Sequence, residues 1–158
     1  MIRLTPTFKG EIENHGVRDF PNECCGVLLG EINGQVKIVT EVRPLPNTFL
    51  PSDEFERSVL KPGETETPSG QVGQERRYMV SPDTMFKLMR EERKTGVKIL
   101  GFYHSHPNHP ALLSEYDRTW AMNWYTYIIV SIINGSPAEM TAWSLDGHQQ
   151  FQSVEIAK

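Results

Sequence analysis

The sequence predicts one α/β or α+β domain, in which helices flank a mixed, mostly antiparallel β-sheet. Short apolar runs bounded by Gly and Asn-Gly signals indicate buried strands and hairpins. Two capped segments with apolar residues three or four apart indicate amphipathic helices. Because 158 residues is an ordinary length for one domain, we expect a single domain over residues 1–158, with a long polar insertion at about residues 44–75.

A helix and a β-hairpin are predicted in the first part of the chain. The helix covers residues 7–19, where an apolar stripe at helical spacing outweighs two unfavourable glycines. A buried strand follows over residues 24–29, directly after Glu23. Asn33-Gly34 is a strong turn signal, so residues 36–43 are predicted to return as the second strand of the hairpin.

Residues 44–75 break this pattern with five prolines and three glycines among many polar residues. A loop this long in a compact domain is usually a functional lid or a disordered insertion. A short helix near residues 53–60 is possible. We expect a lid that closes over an incoming substrate, with Phe49, Leu50, Phe55 and Leu60 as apolar anchors. A disordered insertion remains the open alternative.

The remaining chain alternates strands and helices. Ser81 is predicted to cap a helix that ends at Gly96 and has Met85, Leu88 and Met89 on its inner face. Ser114 is predicted to open a second helix. Strands are predicted over residues 78–80, 97–103, 125–131, 139–145 and 150–156.

A candidate metal site lies at the end of the strand over residues 97–103. His104 and His106 occupy positions i and i+2, which leave an extended backbone on the same side. Asp117, in the first turn of the next helix, offers a carboxylate. Two imidazoles and a carboxylate with an open position are typical of catalytic Zn²⁺. A bare His-x-His pair also fits two hydrogen-bonded loop histidines.

Ser114 and Asp117 also fit a purely structural role. Ser-x-x-Asp before a helix resembles a capping box, in which the serine hydroxyl accepts a hydrogen bond from the third helical amide. The two interpretations are compatible, because a capped first turn is rigid and would hold Asp117 toward the histidines.

The whole pattern resembles the JAMM (MPN+) metalloprotease family. The resemblance rests on Glu23, the run Asn22–Gly30, His104-Ser105-His106-Pro107 and Ser114-x-x-Asp117, and it spans about residues 4–145. Leu113 departs from the proline found in many members. The resemblance implies an MPN/cytidine-deaminase-like fold and one Zn²⁺ per chain on the two histidines and the aspartate.

Roles and a substrate class also follow from the resemblance. Small stand-alone bacterial members process the C-terminal tails of ubiquitin-like or sulfur-carrier proteins, for instance after Gly-Gly. Glu23 would be the general base and Ser114 would stabilise the oxyanion. We expect the substrate to be an extended chain that pairs with a free sheet edge. Competing interpretations are a non-catalytic MPN scaffold and a DNA-repair relative of the RadC type.

Composition excludes several other classes. A net charge of −4 argues against nucleic-acid binding, and no apolar run is long enough to span a membrane. The N-terminus lacks a signal-peptide core, and the adjacent Cys24 and Cys25 are expected to be core residues that are not bonded to each other. A cytoplasmic location is therefore expected. His109 is expected to lack a metal role, and His15 and His148 to be structural or exposed.

Overall fold

A computed structural model of the chain describes residues 1–50, 73–148 and 150–158. In these ranges three helices flank one eight-stranded sheet. The elements in chain order are β1 (Ile2–Arg3), α1 (Pro6–Asp19), β2 (Cys25–Asn33), β3 (Val36–Leu45), α2 (Pro82–Thr95), β4 (Lys98–Pro107), α3 (Glu115–Trp120), β5 (Thr126–Ile133), β6 (Ser136–Leu145), β7 (Phe151–Ser153) and β8 (Ile156–Ala157). None of the described helices has the length and apolar character that crossing a bilayer requires.

The strand order is β7-β6-β5-β4-β2-β3-β1-β8. The long pairs β2–β3, β2–β4 and β5–β6 are antiparallel, whereas β4 and β5 run parallel. The predicted mixed, mostly antiparallel sheet is thus confirmed. The parallel pair is possible because the connection from β4 to β5 passes through α3 and is long enough to cross over.

Alternating side chains give the sheet two apolar faces. On one face Leu28, Tyr103 and Ile128 pack with Ile12 of α1. On the other face the neighbouring residues pack with Leu88 of α2; they include Val27, Phe102 and Tyr127. The sheet is therefore buried between α1 and α2. Successive side chains of β4 point to opposite faces, so neighbouring residues pack against different helices.

Helix α1 can lie close to the sheet because it contains Gly16, one of the two glycines that are unfavourable for a helix. A Cβ atom at Gly16 would come within 2.9 Å of the Ile132 side chain and 3.3 Å of Ser105 Cβ. Thr5 caps the helix by accepting a hydrogen bond from the Phe8 amide, and Pro6 occupies the first turn. The glycine that is unfavourable for local helix propensity is thus required by the packing.

Three predicted details are wrong. Residues 78–80 form no strand, because Met79 hydrogen-bonds to Thr48 and to the Asn47 side chain instead of a strand partner. Residues 150–156 split into β7 and the approach to β8. Met89 is 48% exposed, so only the other two predicted positions of α2 face the core. The helix predicted near residues 53–60, with Phe55 and Leu60, lies outside the described residues.

The two edges of the sheet come from consecutive short strands. Strand β7 pairs with β6 at one edge, and β8 pairs with β1 at the other. Only residues 154 and 155 separate these strands, and two residues span roughly 10 Å at most. The sheet must therefore curl until its edges lie side by side.

Candidate metal centre

The two histidines predicted as ligands lie at successive inward positions of β4. His104 and His106 are both buried, and their Nε2 atoms are 3.0 Å apart. The strand extends to Pro107, so the expected i, i+2 geometry applies to both residues. Both side chains enter the face that α2 covers, because His104 lies opposite Cys25 of that face.

Asp117 of α3 completes a buried cluster with these histidines. Its Oδ1 lies 3.1 Å from His104 Nε2, and its Oδ2 lies 3.7 Å from His106 Nε2. All three ligand atoms fall within 4.8 Å of one another, which is a spacing that one metal ion can bridge. The donor set of two imidazoles and one carboxylate is the one that Zn²⁺ favours, so these residues fit the implied metal.

The carboxylate of Asp117 and the two imidazoles shift one another's pKa values. Burial raises the pKa of Asp117, but the contacts with both histidines outweigh burial and hold this pKa well below its usual range. Burial lowers the pKa of His104. For His106, burial is opposed by hydrogen bonding to Asp117 and by the charge of Glu23, and the net effect raises its pKa. Because metal ligands must be deprotonated, binding of a cation to this cluster would compete with protonation of His106.

The predicted capping box is present and fixes Asp117. Ser114 Oγ accepts a hydrogen bond from the Asp117 amide at 3.1 Å, and Asp117 Oδ2 accepts one from the Ser114 amide at 2.7 Å. The Ser114 hydroxyl also donates to Oδ2 at 2.6 Å. The hydroxyl hydrogen therefore points at Asp117, and an oxyanion role would require the hydroxyl to turn away from it.

The rings of the two histidines are held in different ways. His106 Nδ1 lies 2.9 Å from the Pro110 carbonyl oxygen, which can only accept, so Nδ1 carries the proton and Nε2 is left as a donor atom for a metal. His104 Nδ1 is buried without a hydrogen-bond partner in the described part of the chain. Its ring stacks on Tyr78 instead, with centroids 4.4 Å apart and planes inclined by 22°. Stacking thus orients His104.

Glu23 lies beside this cluster, one residue before β2. Extending the β2–β4 register from Cys25 and His104 by two residues places Glu23 opposite His106. The side chain is only 7% exposed, and burial is the largest of the effects that raise its pKa to about 8. A buried carboxyl with raised proton affinity beside a histidine of the cluster has the properties of a general acid–base group.

The Glu23 backbone is anchored by residues that sequence reasoning missed. Its amide donates to the Gln74 carbonyl at 2.7 Å, and its carbonyl accepts from Asn47 Nδ2 at 3.0 Å. Asn47 Nδ2 also donates to the Arg77 carbonyl, and its Oδ1 accepts from the Phe49 and Met79 amides. Asn47 therefore ties Glu23 to the segments on both sides of residues 51–72. In the sequence, Asn47 is distinguished only by its position in a proline-rich loop, which does not indicate these contacts.

A cavity of about 210 Å³ opens directly onto Glu23 and His106. Its wall also includes Ser114 and three basic side chains, Arg76, Arg77 and His109. His109 is exposed and lies outside the group of described residues that could hold a metal. The site is therefore reached through an opening that carries more positive than negative groups.

The remaining candidates lie away from the cluster. Cys24 and Cys25 are buried free thiols whose pKa values are raised to about 12 by burial, and neither belongs to the group that could hold a metal. His15 is buried and hydrogen-bonds to the Tyr103 hydroxyl, whereas His148 is exposed. Strand β4 has strands on both sides, so the free sheet edge expected for an extended substrate is not an edge of β4.

Comparison with known proteins identifies the family and supports the fold. A family model described as prokaryotic homologs of the JAB domain matches residues 9–146. No curated protein matches the chain at a significant level. The solution structure of a protein from Desulfitobacterium hafniense is similar, with 25% identity, a TM-score of 0.73, and coverage of 99% of this chain and 91% of that one.

Two further solved structures are also similar. One is a protein from Salinibacter ruber, with 28% identity, a TM-score of 0.66, and coverage of 100% of this chain and 91% of the other. The second is a JAB1/MPN domain protein from Archaeoglobus fulgidus, with 16% identity, a TM-score of 0.54, and coverage of 99% and 95%. The last likeness concerns the fold alone.

Proposed function

Because the chain belongs to the family of prokaryotic homologs of the JAB domain, we propose that it is a zinc-dependent, JAMM-type metallopeptidase. Its substrate in this proposal is the C-terminal tail of a small ubiquitin-like or sulfur-carrier protein, cut at a peptide or isopeptide bond. The observation that carries the proposal is the buried His104–His106–Asp117 cluster with a protonatable Glu23 beside it.

His104, His106 and Asp117 would hold one Zn²⁺. The ion would supply Lewis acidity and lower the pKa of water at the site. Glu23 would take a proton from the attacking water on its carboxylate and deliver it to the leaving nitrogen. Its burial suits the second step, since a raised pKa makes the protonated carboxyl a competent acid near neutral pH.

Ser114 would support the reaction in two ways. In the capping box it holds Asp117 in place. If its hydroxyl turns from Asp117 toward the cavity whose wall it forms, it can donate a hydrogen bond to the developing oxyanion. The capping amide contacts do not depend on the hydroxyl hydrogen, so this rotation leaves the start of α3 intact.

The proposal is tested with purified protein and a panel of ubiquitin-like carriers extended beyond Gly-Gly. Elemental analysis should find about one zinc per chain, and mass spectrometry should show release of the extension. Glu23→Gln should keep the zinc and lose on the order of 10²- to 10⁴-fold in rate, because an amide cannot accept the proton. A fully metallated protein that cuts no carrier would favour the non-catalytic scaffold.

A further inference from the structure

Two cavities meet the metal cluster from different sides. The first, of about 210 Å³, touches Glu23 and His106 and is lined by Arg76, Arg77 and His109. The second, of about 290 Å³, touches Asp117 and is lined by Tyr78, Phe102, Tyr116 and Trp120 among other mostly apolar residues. The two have no lining residue in common among the described residues. The cluster therefore separates a basic cavity from an apolar one.

We propose that Arg76, Arg77 and His109 form a subsite for a carboxylate on the leaving-group side of the scissile bond. This inference rests on the proposed function and names its substrate more closely. The bond would be a peptide bond near the C-terminus of a linear chain. An isopeptide bond to a lysine side chain would not place a carboxylate there, because the backbone continues on both sides of that lysine.

The position of Glu23 assigns the basic cavity to the leaving group. The residue that protonates the leaving nitrogen must lie within hydrogen-bond reach of it. Glu23 lines the basic cavity and not the apolar one. The released residue therefore occupies the basic cavity, and the retained tail lies on the side of Asp117 and the apolar cavity.

Arg77 is held in place while Arg76 reaches solvent. The Arg77 guanidinium carbon lies 4.9 Å from the centroid of the Tyr116 ring, and its Nη1 donates to the Arg76 carbonyl at 2.8 Å. Arg76 is exposed at the cavity mouth. A guanidinium group presents a planar fork of donors that matches a carboxylate, so this pair offers one fixed and one adaptable contact.

The charges of the cavity support a carboxylate ligand. Both arginines act on Glu23 and lower its pKa against the larger effect of burial, so both positive charges lie near the reacting end of the cavity. Arg76 also acts on His109, whose pKa is lowered by burial first and by this charge second. The cavity thus places two guanidinium groups beside Glu23, and the exposed Arg76 can meet the carboxylate of a ligand that enters from solvent.

The test compares peptides that differ in one charge. Labelled peptides ending in Gly-Gly-Ala with a free carboxylate, in Gly-Gly-Ala amide, and in Gly-Gly-Asp amide are titrated into zinc-loaded Glu23→Gln protein, and binding is measured by fluorescence anisotropy. The free acid should bind about tenfold or more tightly than the Ala amide, since a charge-assisted pair is lost in the amide. This preference should shrink as salt is raised.

The Asp amide distinguishes the source of the carboxylate. Tight binding of the free acid alone assigns a terminal carboxylate, and tight binding of the Asp amide as well assigns any carboxylate at this position. Arg76→Gln should reduce the preference at least about threefold, since Arg77 remains, and Arg76→Lys should restore part of it, because lysine keeps the charge but not the fork. Arg93→Gln, at an exposed arginine of α2 outside the cavity, is the matched control.

Hydrolysis by the wild-type enzyme separates failure of this inference from failure of the proposed function. Equal binding of acid and Ala amide would overturn the subsite even if both peptides are cut. Cleavage of neither peptide would count against the peptidase, while the binding comparison would still decide the subsite. The carboxylate subsite would also be contradicted if a substrate with Gly-Gly joined to a lysine side chain were cut as fast as the free-acid peptide.

Discussion

Three side chains form the candidate metal centre, and the position of each is determined by its own strand or helix. His104 and His106 are inward because β4 alternates, and Asp117 is inward because Ser114 caps its helix. Each position is set by hydrogen bonds and alternation within β4 and α3 themselves. Loss of one ligand should therefore act on the metal itself, without first disturbing the fold that presents the other two.

His104→Ala and Asp117→Ala should each lose most of the bound zinc, because either change leaves two protein ligands where a stable site has at least three. Zinc per chain after gel filtration is the measurement. His148→Ala removes an exposed histidine and should keep the full content. Full zinc in both ligand variants would contradict the assigned site.

The buried carboxyl of Glu23 should make the metal-free protein less stable as the pH rises. The folded protein keeps a proton up to a pKa of about 8, whereas the unfolded chain releases it near 4.5. Because the folded state then binds more protons, stability is full below about pH 4.5 and falls as the pH approaches 8.

Glu23→Gln removes this penalty. In chelator, the variant and the wild type should unfold alike near pH 5, and the variant should be more stable by up to about 4 kcal/mol near pH 8. Urea unfolding at both pH values measures this. Glu11→Gln, on the exposed side of α1, controls for the loss of one charge. A constant difference across this range would show that Glu23 ionises freely in the folded protein.

At the scale of elements, the short helix α3 depends on its cap. It has six residues, and its first turn is closed by reciprocal hydrogen bonds between Ser114 and Asp117. Ser114→Ala should cost about 1 kcal/mol of unfolding free energy and should weaken zinc binding, because Asp117 loses a donor that orients it. Ser114→Thr should recover most of both. Competition for zinc with a chelator dye measures the affinity. Unchanged affinity in the alanine variant would show that the helix cap does not contribute to zinc binding.

Elements with local signals could be predicted, and elements made by pairing could not. The hairpin at Asn33-Gly34 and helix α2, with its Ser81 cap and Gly96 end, are confirmed because turn and cap chemistry is written in neighbouring residues. Strands β1 and β8 have two residues each and exist only through their partners. Such elements leave no periodicity in the sequence to detect.

The same limit applies to the site. The histidine pair and Asp117 could be predicted from spacing, since i, i+2 and a capped first turn are local rules. Asn47 could not, because its bonds to Glu23 and Arg77 join residues 24 and 30 positions away. A polar residue in a loop is ordinarily solvated. Only the folded structure shows that Asn47 links two distant segments by hydrogen bonds.

At the scale of the whole molecule, residues 154–157 join the two edges of the sheet; we call this junction the seam. The Ile2 amide donates to the Glu155 carbonyl at 2.9 Å, the Leu4 amide to Ala157 at 2.8 Å, and the Val154 amide to Ala142 at 2.8 Å. Val154 and Ile156 also pack against the core beside α1. The last five residues therefore hold both edges of the curled sheet, through β6 on one side and β1 on the other.

Removing residues 154–158 should open this seam. At least three hydrogen bonds and the apolar contacts of two side chains are lost, so we expect a loss of at least about 3 kcal/mol and a fall in the melting temperature of roughly 10 °C. Calorimetry measures it, and removal of Lys158 alone, which is exposed, is the matched control. Strand β4 lies three strands from β7 and four from β8, so below its melting temperature the truncated protein should still bind zinc. Equal melting temperatures would mean that the edges are joined by other contacts, whereas loss of zinc from the folded truncated protein would mean that the centre depends on closure of the whole sheet.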